Sequence, residues 1–172
     1  MNYQENSLTY EEYCSLRESV GWKNFPKIQI QEILKRSLYT VVAYKNHQAV
    51  GMGRLIGDGL YYVIVDVVVR PDCQQMGIGS KIFEMIVEYV DRQTPVGGRT
   101  SVQLIAEKGK EAFYEKRGFQ IIPHKFCGSG MRKSYINNGN VRKILEMIYI
   151  LSINRSYSSD IIRIVKRDID DI

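Results

Sequence analysis

A glycine-containing loop at residues 74–80 carries the strongest chemical signal in the sequence. It follows an apolar segment that ends at Val69, and it leads into a helical pattern. Gly77 and Gly79 have no Cβ, so the backbone there can approach a bulky anion closely. Amides at the start of a helix carry partial positive charge and bind phosphate groups. The loop is therefore predicted to bind a pyrophosphate; the alternative is an ordinary strand-to-helix turn that needs glycine for its dihedral angles.

The spacing of these glycines excludes two common nucleotide-binding motifs. It is not G-x-G-x-x-G, which disfavours a dinucleotide-binding fold. It is not G-x-x-x-x-G-K-[ST] either, since Ser80 and not lysine follows the second glycine. Phosphate binding by the backbone alone remains as the functional interpretation.

Asp66 is a second residue of interest because it interrupts the apolar run 63–69. Burying an ionised carboxylate is costly unless it is paired, so its presence suggests a purpose. One interpretation is a role in proton transfer. The other is that Asp66 faces solvent or pairs with a nearby arginine, and the sequence does not decide between them.

The elements that must position these residues follow from periodicity and turn signals. Thr9 and Glu12 form a capping box that should start a helix reaching about residue 20, and a short helix is predicted at 28–36. Asn46-His47 supplies a hairpin turn. Three antiparallel strands are predicted at 38–44, 49–56 and 60–69.

The second half of the predicted domain alternates helix and strand. A helix over 77–90 carries the apolar stripe Ile78, Ile82, Met85, Ile86 and Val90. A strand at 101–106, a helix at 110–116 closed by Gly118, and two strands at 119–122 and 130–135 that pair with each other should follow. The order predicts an α+β fold.

Composition bounds the remaining possibilities. A chain of 172 residues suits one domain, here 1–136, followed by a helical extension at 137–172. The extension either docks on the domain or on a second copy of it, as in a homodimer, or is a poorly ordered appendage. No apolar run approaches a membrane span, and the polar first residues lack the order of a secretory signal, which predicts a cytoplasmic location. Three cysteines and two histidines without metal-ligand spacing predict no metal site. The net charge of +5 comes from scattered basic residues, so no nucleic-acid partner is expected.

Two blocks of sequence resemble the GNAT superfamily of N-acetyltransferases. Gln74-x-x-Gly77-x-Gly79, after a strand ending Val-x-Val-x-Pro, is similar to the family's pyrophosphate-binding motif. The block Glu-Ala-Phe-Tyr-Glu-Lys-Arg-Gly-Phe at 111–119 looks like its later signature, in which a helix carries a tyrosine. The resemblance implies the GNAT acyl-CoA N-acyltransferase fold, with a mixed, mostly antiparallel sheet of six to seven strands flanked by helices.

The resemblance also implies a site for acetyl-CoA as co-substrate. Backbone amides of the loop should hold the pyrophosphate, and Val67 and Val69 should pair with the pantetheine arm. A splay between strands 60–69 and 101–106 would admit the thioester, and the Val67 amide would donate to the acetyl oxygen. The predicted cofactor-binding residues are Val67, Val68, Val69, Gln74, Gln75, Met76, Gly77, Ile78, Gly79, Ser80, Phe113 and Lys116.

Tyr114 is the residue that the resemblance makes the general acid. Acyl transfer expels a thiolate, and a phenol held near the sulfur can supply its proton. The alternative is a tyrosine that packs a helix against the sheet. The attacking amine must lose a proton, and Asp66 and His124 are the candidate bases, since histidine as a residue type titrates near neutrality. A solvated loop histidine is the alternative for His124, and the base stays unassigned.

The predicted function is transfer of an acetyl group from acetyl-CoA to a primary amine of a small molecule. Two other functions remain open: an acetyltransferase acting on a protein N-terminus or lysine, and a non-catalytic module that binds acyl-CoA. The predicted partner is thus a small-molecule amine acceptor. Neither a membrane nor a metal ion is expected to bind.

Overall fold

The computed structural model describes residues 1–125, 127–131 and 133 of the chain. It divides into two compact units, Met1–Phe119 and Gln120–Ile172. The predicted helices of the extension at 137–172 lie outside the described residues. Within the described part of the chain, no helix is both long and apolar enough to cross a lipid bilayer.

The first unit is an α+β domain built on a mixed sheet. The strands are β1 (Asn2–Glu5), β2 (Tyr39–Lys45), β3 (Gln48–Gly57), β4 (Tyr61–Val69) and β5 (Ser101–Leu104), and they lie side by side in that order. The pairs from β1 to β4 are antiparallel, and only β4 and β5 are parallel. The predicted mixed, mostly antiparallel sheet is therefore confirmed.

Helices cover both faces of this sheet. They are α1 (Tyr10–Ser19), α2 (Lys27–Lys35), α3 (Ile78–Gln93) and the short α4 (Glu111–Glu115). Thr9 caps α1 through the predicted box, since its side chain accepts from the amide of Glu12 and Glu12 accepts from the amide of Thr9. The hairpin turn between β2 and β3 is also as predicted, with Asn46 and His47 both in the left-handed region.

Two apolar clusters bind these layers together. On one face, the stripe of α3 packs on β2, β3 and β4 through buried residues that include Val41, Leu55, Ile82 and Ile86. On the other face, Tyr13 and Leu16 of α1 and Ile30 of α2 pack on Met52 and Val68. The domain is thus a three-layer sandwich whose central strands are buried on both sides.

Two features differ from the sequence prediction. β1 was missed, because Asn2–Glu5 is polar and pairs only as an edge strand with β2. The strand predicted at 119–122 does not form: the amide of Phe119 closes the turn after α4 on the Tyr114 carbonyl (3.2 Å), and Pro123 has no amide to donate.

The partner of that strand was predicted at 130–135, a range that the structure describes only in part. Residues 130, 131 and 133 form no strand, and the rest of 130–135 lies outside the described residues. Between the two predicted strands, the described residues form an isolated antiparallel bridge of His124 with Cys127. The described part of the sheet has five strands.

Gly53 allows α3 to lie directly on β3, and this contact can be tested. A Cβ at Gly53 would lie 2.7 Å from Ile82 Cγ2 and 2.8 Å from Ile86 Cδ1, closer than packed carbons approach. Gly53→Ala should therefore lower the free energy of unfolding by about 1–3 kcal/mol, measured by chemical denaturation. Gly79→Ala is the control, because its Cβ would meet only Val69 Cγ2 at 3.5 Å. Equal stability of the two variants would contradict this account of the α3 packing.

Candidate active site

The glycine-containing loop connects the end of β4 to α3 through a short turn at Pro71–Cys73. Gln74 fixes the start of the loop, since its side-chain Nε2 donates to the Val69 carbonyl (3.1 Å). Gln75 and Gly77 both adopt left-handed backbone conformations, with φ of 62° and 79°. These two left-handed residues change the direction of the chain just before α3 begins at Ile78.

The amides of residues 75–80 make no hydrogen bond within the described part of the chain. The first amide of α3 that is paired is that of Lys81, which donates to the Gly77 carbonyl at 3.0 Å. The space before the loop is open as well, since a Cβ at Gly77 would meet no atom within 4 Å. Six unpaired donors at the positive end of a 16-residue helix form an arrangement suited to an anion.

The edge of β4 that faces β5 has no partner strand among the described residues along its second half, although the Val69 carbonyl accepts from the Gln74 side chain. β5 pairs only with Tyr61–Ile64 in register, and no strand of the described residues pairs with this edge beyond Ile64. Val67 and Val69 lie in that stretch, immediately before the loop. The pairing of β4 with β5 ends at Ile64 and Leu104, and an extended ligand arm could add to the edge beyond it as a further strand.

A β-bulge interrupts β4 at Asp66. The register with β3 passes from Met52–Val68 to Arg54–Val65, so that Asp66 and Val67 together oppose Gly53. Asp66 takes the left-handed conformation, with φ of 51°. A bulge bends its strand and leaves one residue out of the ladder. It therefore sets the direction of the main chain just where the open edge begins.

The Asp66 carboxylate is held by three donors. Arg17 Nη1 donates to Oδ1 (3.0 Å), while Arg54 Nε (2.9 Å) and the Tyr13 hydroxyl (3.1 Å) donate to Oδ2. The side chains of both arginines are more than 90% buried. Burial raises the pKa of Tyr13 to about 12, and the Asp66 charge adds to this shift, so the phenol stays protonated as a donor.

Arg17 extends this network to the loop between α1 and α2. Its guanidinium lies near the rings of Trp22 and Phe25 at 5.1 and 4.8 Å from their centroids, and its Nη2 donates to the Lys23 carbonyl (2.9 Å). Asp66 thus pairs with two arginines, as one of the two interpretations from the sequence expected. Its role as the base stays a prediction.

Tyr114 lies on α4 in a cluster of aromatic rings. It makes edge contacts with Phe83 of α3 and with Phe113 and Phe119, at centroid distances of 5.6, 5.0 and 6.4 Å. Burial raises its pKa above the usual value of tyrosine, while the positive charge of Arg117 works in the opposite direction. The side chain both packs the helix and carries a phenol that is protonated at neutral pH.

Sequence comparisons assign the chain to a family. The model of the acetyltransferase (GNAT) domain matches residues 36–121, half of the chain. An uncharacterized N-acetyltransferase, ycf52, of Pyropia yezoensis is 31% identical over 69% of this chain and 67% of its own length. The chain belongs to the GNAT acetyltransferase family. Serotonin N-acetyltransferase 2 of Oryza sativa subsp. japonica is 30% identical over 70% of this chain and 62% of its own length.

Solved structures agree with this assignment. A protein of unknown function from methicillin-resistant Staphylococcus aureus, designated a probable acetyltransferase, superposes with a TM-score of 0.70 and 31% identity, covering 78% of this chain and 98% of its own. A GNAT family acetyltransferase from Streptococcus pneumoniae superposes with a TM-score of 0.64 and 27% identity, covering 80% of this chain and 98% of its own. The GNAT fold predicted from the sequence is confirmed.

The remaining predicted site residues of the GNAT domain differ in what they can offer. Met76 is exposed beside the loop, and Lys116 is exposed at the end of α4. The side chains of Val68 and Ile78 are buried in the two cores, so only their main chains are available to a ligand. Phe113 packs against Phe83.

His124 belongs to the second unit, where its main chain pairs with Cys127 at 2.9 and 3.0 Å. Its role as a base stays a prediction. No group of three or more metal-ligating side chains occurs within the described residues.

Sequence reasoning missed the residues that surround Asp66 and the loop. Tyr13, Arg17 and Arg54 come from α1 and β3 and converge on Asp66 only in the fold. The signal available for Arg54 was a charged residue inside the apolar strand 49–56, the same signal that singled out Asp66. Arg117 lies within the second sequence block, but nothing in the sequence separates it from the other basic residues there.

The structural role of Asp66 predicts the effect of removing its charge. Asp66→Asn keeps the shape but leaves the buried cations of Arg17 and Arg54 without a counterion. The free energy of unfolding should fall by about 3–5 kcal/mol in chemical denaturation. Glu32→Gln, which removes the partner of the exposed Arg36, is the control and should cost no more than about 1 kcal/mol.

An Asp66→Asn variant with wild-type stability and no acetyl transfer would reject this assignment. It would restore Asp66 as the proton acceptor of the reaction.

Proposed function

We propose that this GNAT protein transfers the acetyl group of acetyl-CoA directly to the primary amine of a small molecule within a ternary complex. The observation that carries the proposal is the set of unpaired amides at residues 75–80, directly after the open edge of β4. The loop would hold the pyrophosphate of coenzyme A, and the edge at Val67–Val69 would pair with the pantetheine arm. These two contacts direct the thioester into the splay between β4 and β5.

The reaction needs a neutral amine, because an ammonium ion has no lone pair. The amine nitrogen attacks the thioester carbonyl carbon, the C–S bond breaks, and the amine proton passes to a base or to water. Negative charge on the carbonyl oxygen during attack would be stabilised by the Val67 amide, which follows the bulge at Asp66. The fixed Asp66 carboxylate would hold this part of the main chain in position.

Tyr114 would stabilise the departing thiolate. Its raised pKa keeps the phenol protonated at neutral pH. A thiol of ordinary acidity has a pKa of roughly 8.5, so complete proton transfer from the phenol is uphill. A hydrogen bond from the Tyr114 hydroxyl to the sulfur, completed by a proton from solvent, fits these values better than full transfer.

Two observations support an aromatic amine as the acceptor. One is the loop between α1 and α2, and the other is the name of one relative. Trp22 and Phe25 place aromatic rings beside Arg17, next to the bulge in β4. The relative named serotonin N-acetyltransferase 2 points to an amine with an aromatic body. We therefore propose arylalkylamines as the first acceptors to assay, with a peptide N-terminus and a lysine peptide in the same panel.

Coenzyme A binding tests the loop. Coenzyme A at 100 times its Kd should stabilise the protein by about 2.7 kcal/mol, seen as a rise in Tm. Met76→Glu places a negative charge beside the loop and should weaken coenzyme A binding by about tenfold, with the loss reduced at high salt. Met76→Gln is the matched neutral control. No Tm shift of the wild-type protein with coenzyme A would reject the proposed function.

Tyr114→Phe tests the acid. The variant keeps the ring that packs on Phe83, so Tm and the Kd of coenzyme A should stay unchanged. Loss of this hydrogen bond to the developing thiolate should lower kcat by about 10²–10³-fold, measured by thiol release. In the wild-type enzyme, the phenol should impose no alkaline loss of kcat below pH 10, since burial shifts its pKa upward. Full activity of Tyr114→Phe would leave Tyr114 with a packing role only.

A further inference from the structure

Arg117 is a fixed cation beside the loop that the function proposed above does not use. It follows α4, and its guanidinium reaches across to the first turn of α3, where Nη2 donates to Ser80 Oγ at 2.7 Å. Its Nη1 donates to the Phe113 carbonyl, and the guanidinium carbon lies 3.7 Å from the centroid of the Phe113 ring. Three contacts thus hold an exposed side chain in one position.

The charge of Arg117 is not balanced by a carboxylate. None of the ion pairs among the described residues includes it. The side chain to which it donates a hydrogen bond is that of Ser80, whose own amide is one of the unpaired donors in the first turn of α3. The cation and the amides therefore belong to the same patch of positive potential.

Arg117 has donors to spare. A guanidinium group has five N–H bonds, and the contacts with Ser80 and Phe113 use two of them. The remaining three can bind phosphate oxygens without breaking either contact. Arginine is suited to this task because its planar fork of N–H groups matches the oxygens of a phosphate. Here the stacking of the guanidinium group on the Phe113 ring keeps that fork in place.

We propose that Arg117 binds a phosphate group of acetyl-CoA and thereby extends the amide cradle of residues 75–80. The proposal rests on the proposed function. It assigns the residue to affinity for the co-substrate and not to the chemical step. The phosphate is either the pyrophosphate or the 3′-phosphate, both of which present the same oxygens to a guanidinium group.

The experiment compares Arg117→Gln with wild type on three acetyl donors: acetyl-CoA, acetyl-3′-dephospho-CoA and S-acetyl-pantetheine, which has no phosphate. The variant should raise KM for acetyl-CoA by about 10–100-fold with kcat within twofold, as expected for one charge-assisted contact. Turnover of S-acetyl-pantetheine should not change. Arg117→Lys keeps the charge without the fork and should show a smaller rise in KM.

The dephospho donor identifies the phosphate. The same rise in KM with acetyl-3′-dephospho-CoA assigns Arg117 to the pyrophosphate, and its disappearance assigns Arg117 to the 3′-phosphate. Arg99→Gln, an exposed arginine before β5, is the control for loss of one positive charge and should leave KM within twofold.

Two results would overturn the proposal. One is an unchanged KM for acetyl-CoA in Arg117→Gln. The other is an equal loss with S-acetyl-pantetheine, which would mean that Arg117 only supports α4. Absence of coenzyme A binding by the wild-type protein is a different failure, since it would reject the proposed function itself.

Discussion

The paired, partly buried carboxylate of Asp66 is the constraint on which the site depends. It is the counterion of two buried arginines, so it joins α1 through Arg17, β3 through Arg54 and the bulge of β4 in one network. An ionised group with fixed donors on both oxygens cannot turn without breaking contacts in a poorly hydrated interior. The bulge is held by this network, and with it the main chain at Val67. The charge therefore acts through the geometry of the strand that it interrupts.

Close packing between α3 and β3 positions the other part of the site, the first turn of α3. Gly51 and Gly53 leave room for Ile78, Ile82 and Ile86 on the sheet. Because β4 leads into α3 through only a short turn and loop, this contact sets where the first turn of the helix lies. The unpaired amides then face the end of the strand whose edge β5 leaves free. Polar contacts on one face of the sheet and apolar contacts on the other thus fix the open edge of β4 and the loop that follows it.

Local chemistry decided which parts of this arrangement could be predicted from the sequence. The capping box at Thr9, the turn at Asn46-His47, the stripe of α3 and the loop before it are each encoded within a few residues. β1 has no apolar pattern, and it forms only because the edge of β2 is available to it. The network around Asp66 joins residues that are 49 and 12 positions apart, and only the completed fold brings them together.

Tyr114 shows how one environment can serve packing and chemistry together. The rings of Phe83, Phe113 and Phe119 that anchor α4 also remove the phenol from water, which opposes its ionisation. Arg117 acts against this shift, yet burial is the larger cause, and the pKa stays above its usual value. A phosphate bound at Arg117 would weaken the opposing charge and leave the phenol still more firmly protonated. The Tyr114 phenol is therefore a hydrogen-bond donor with or without a phosphate at Arg117, and its protonation requires no change in the fold.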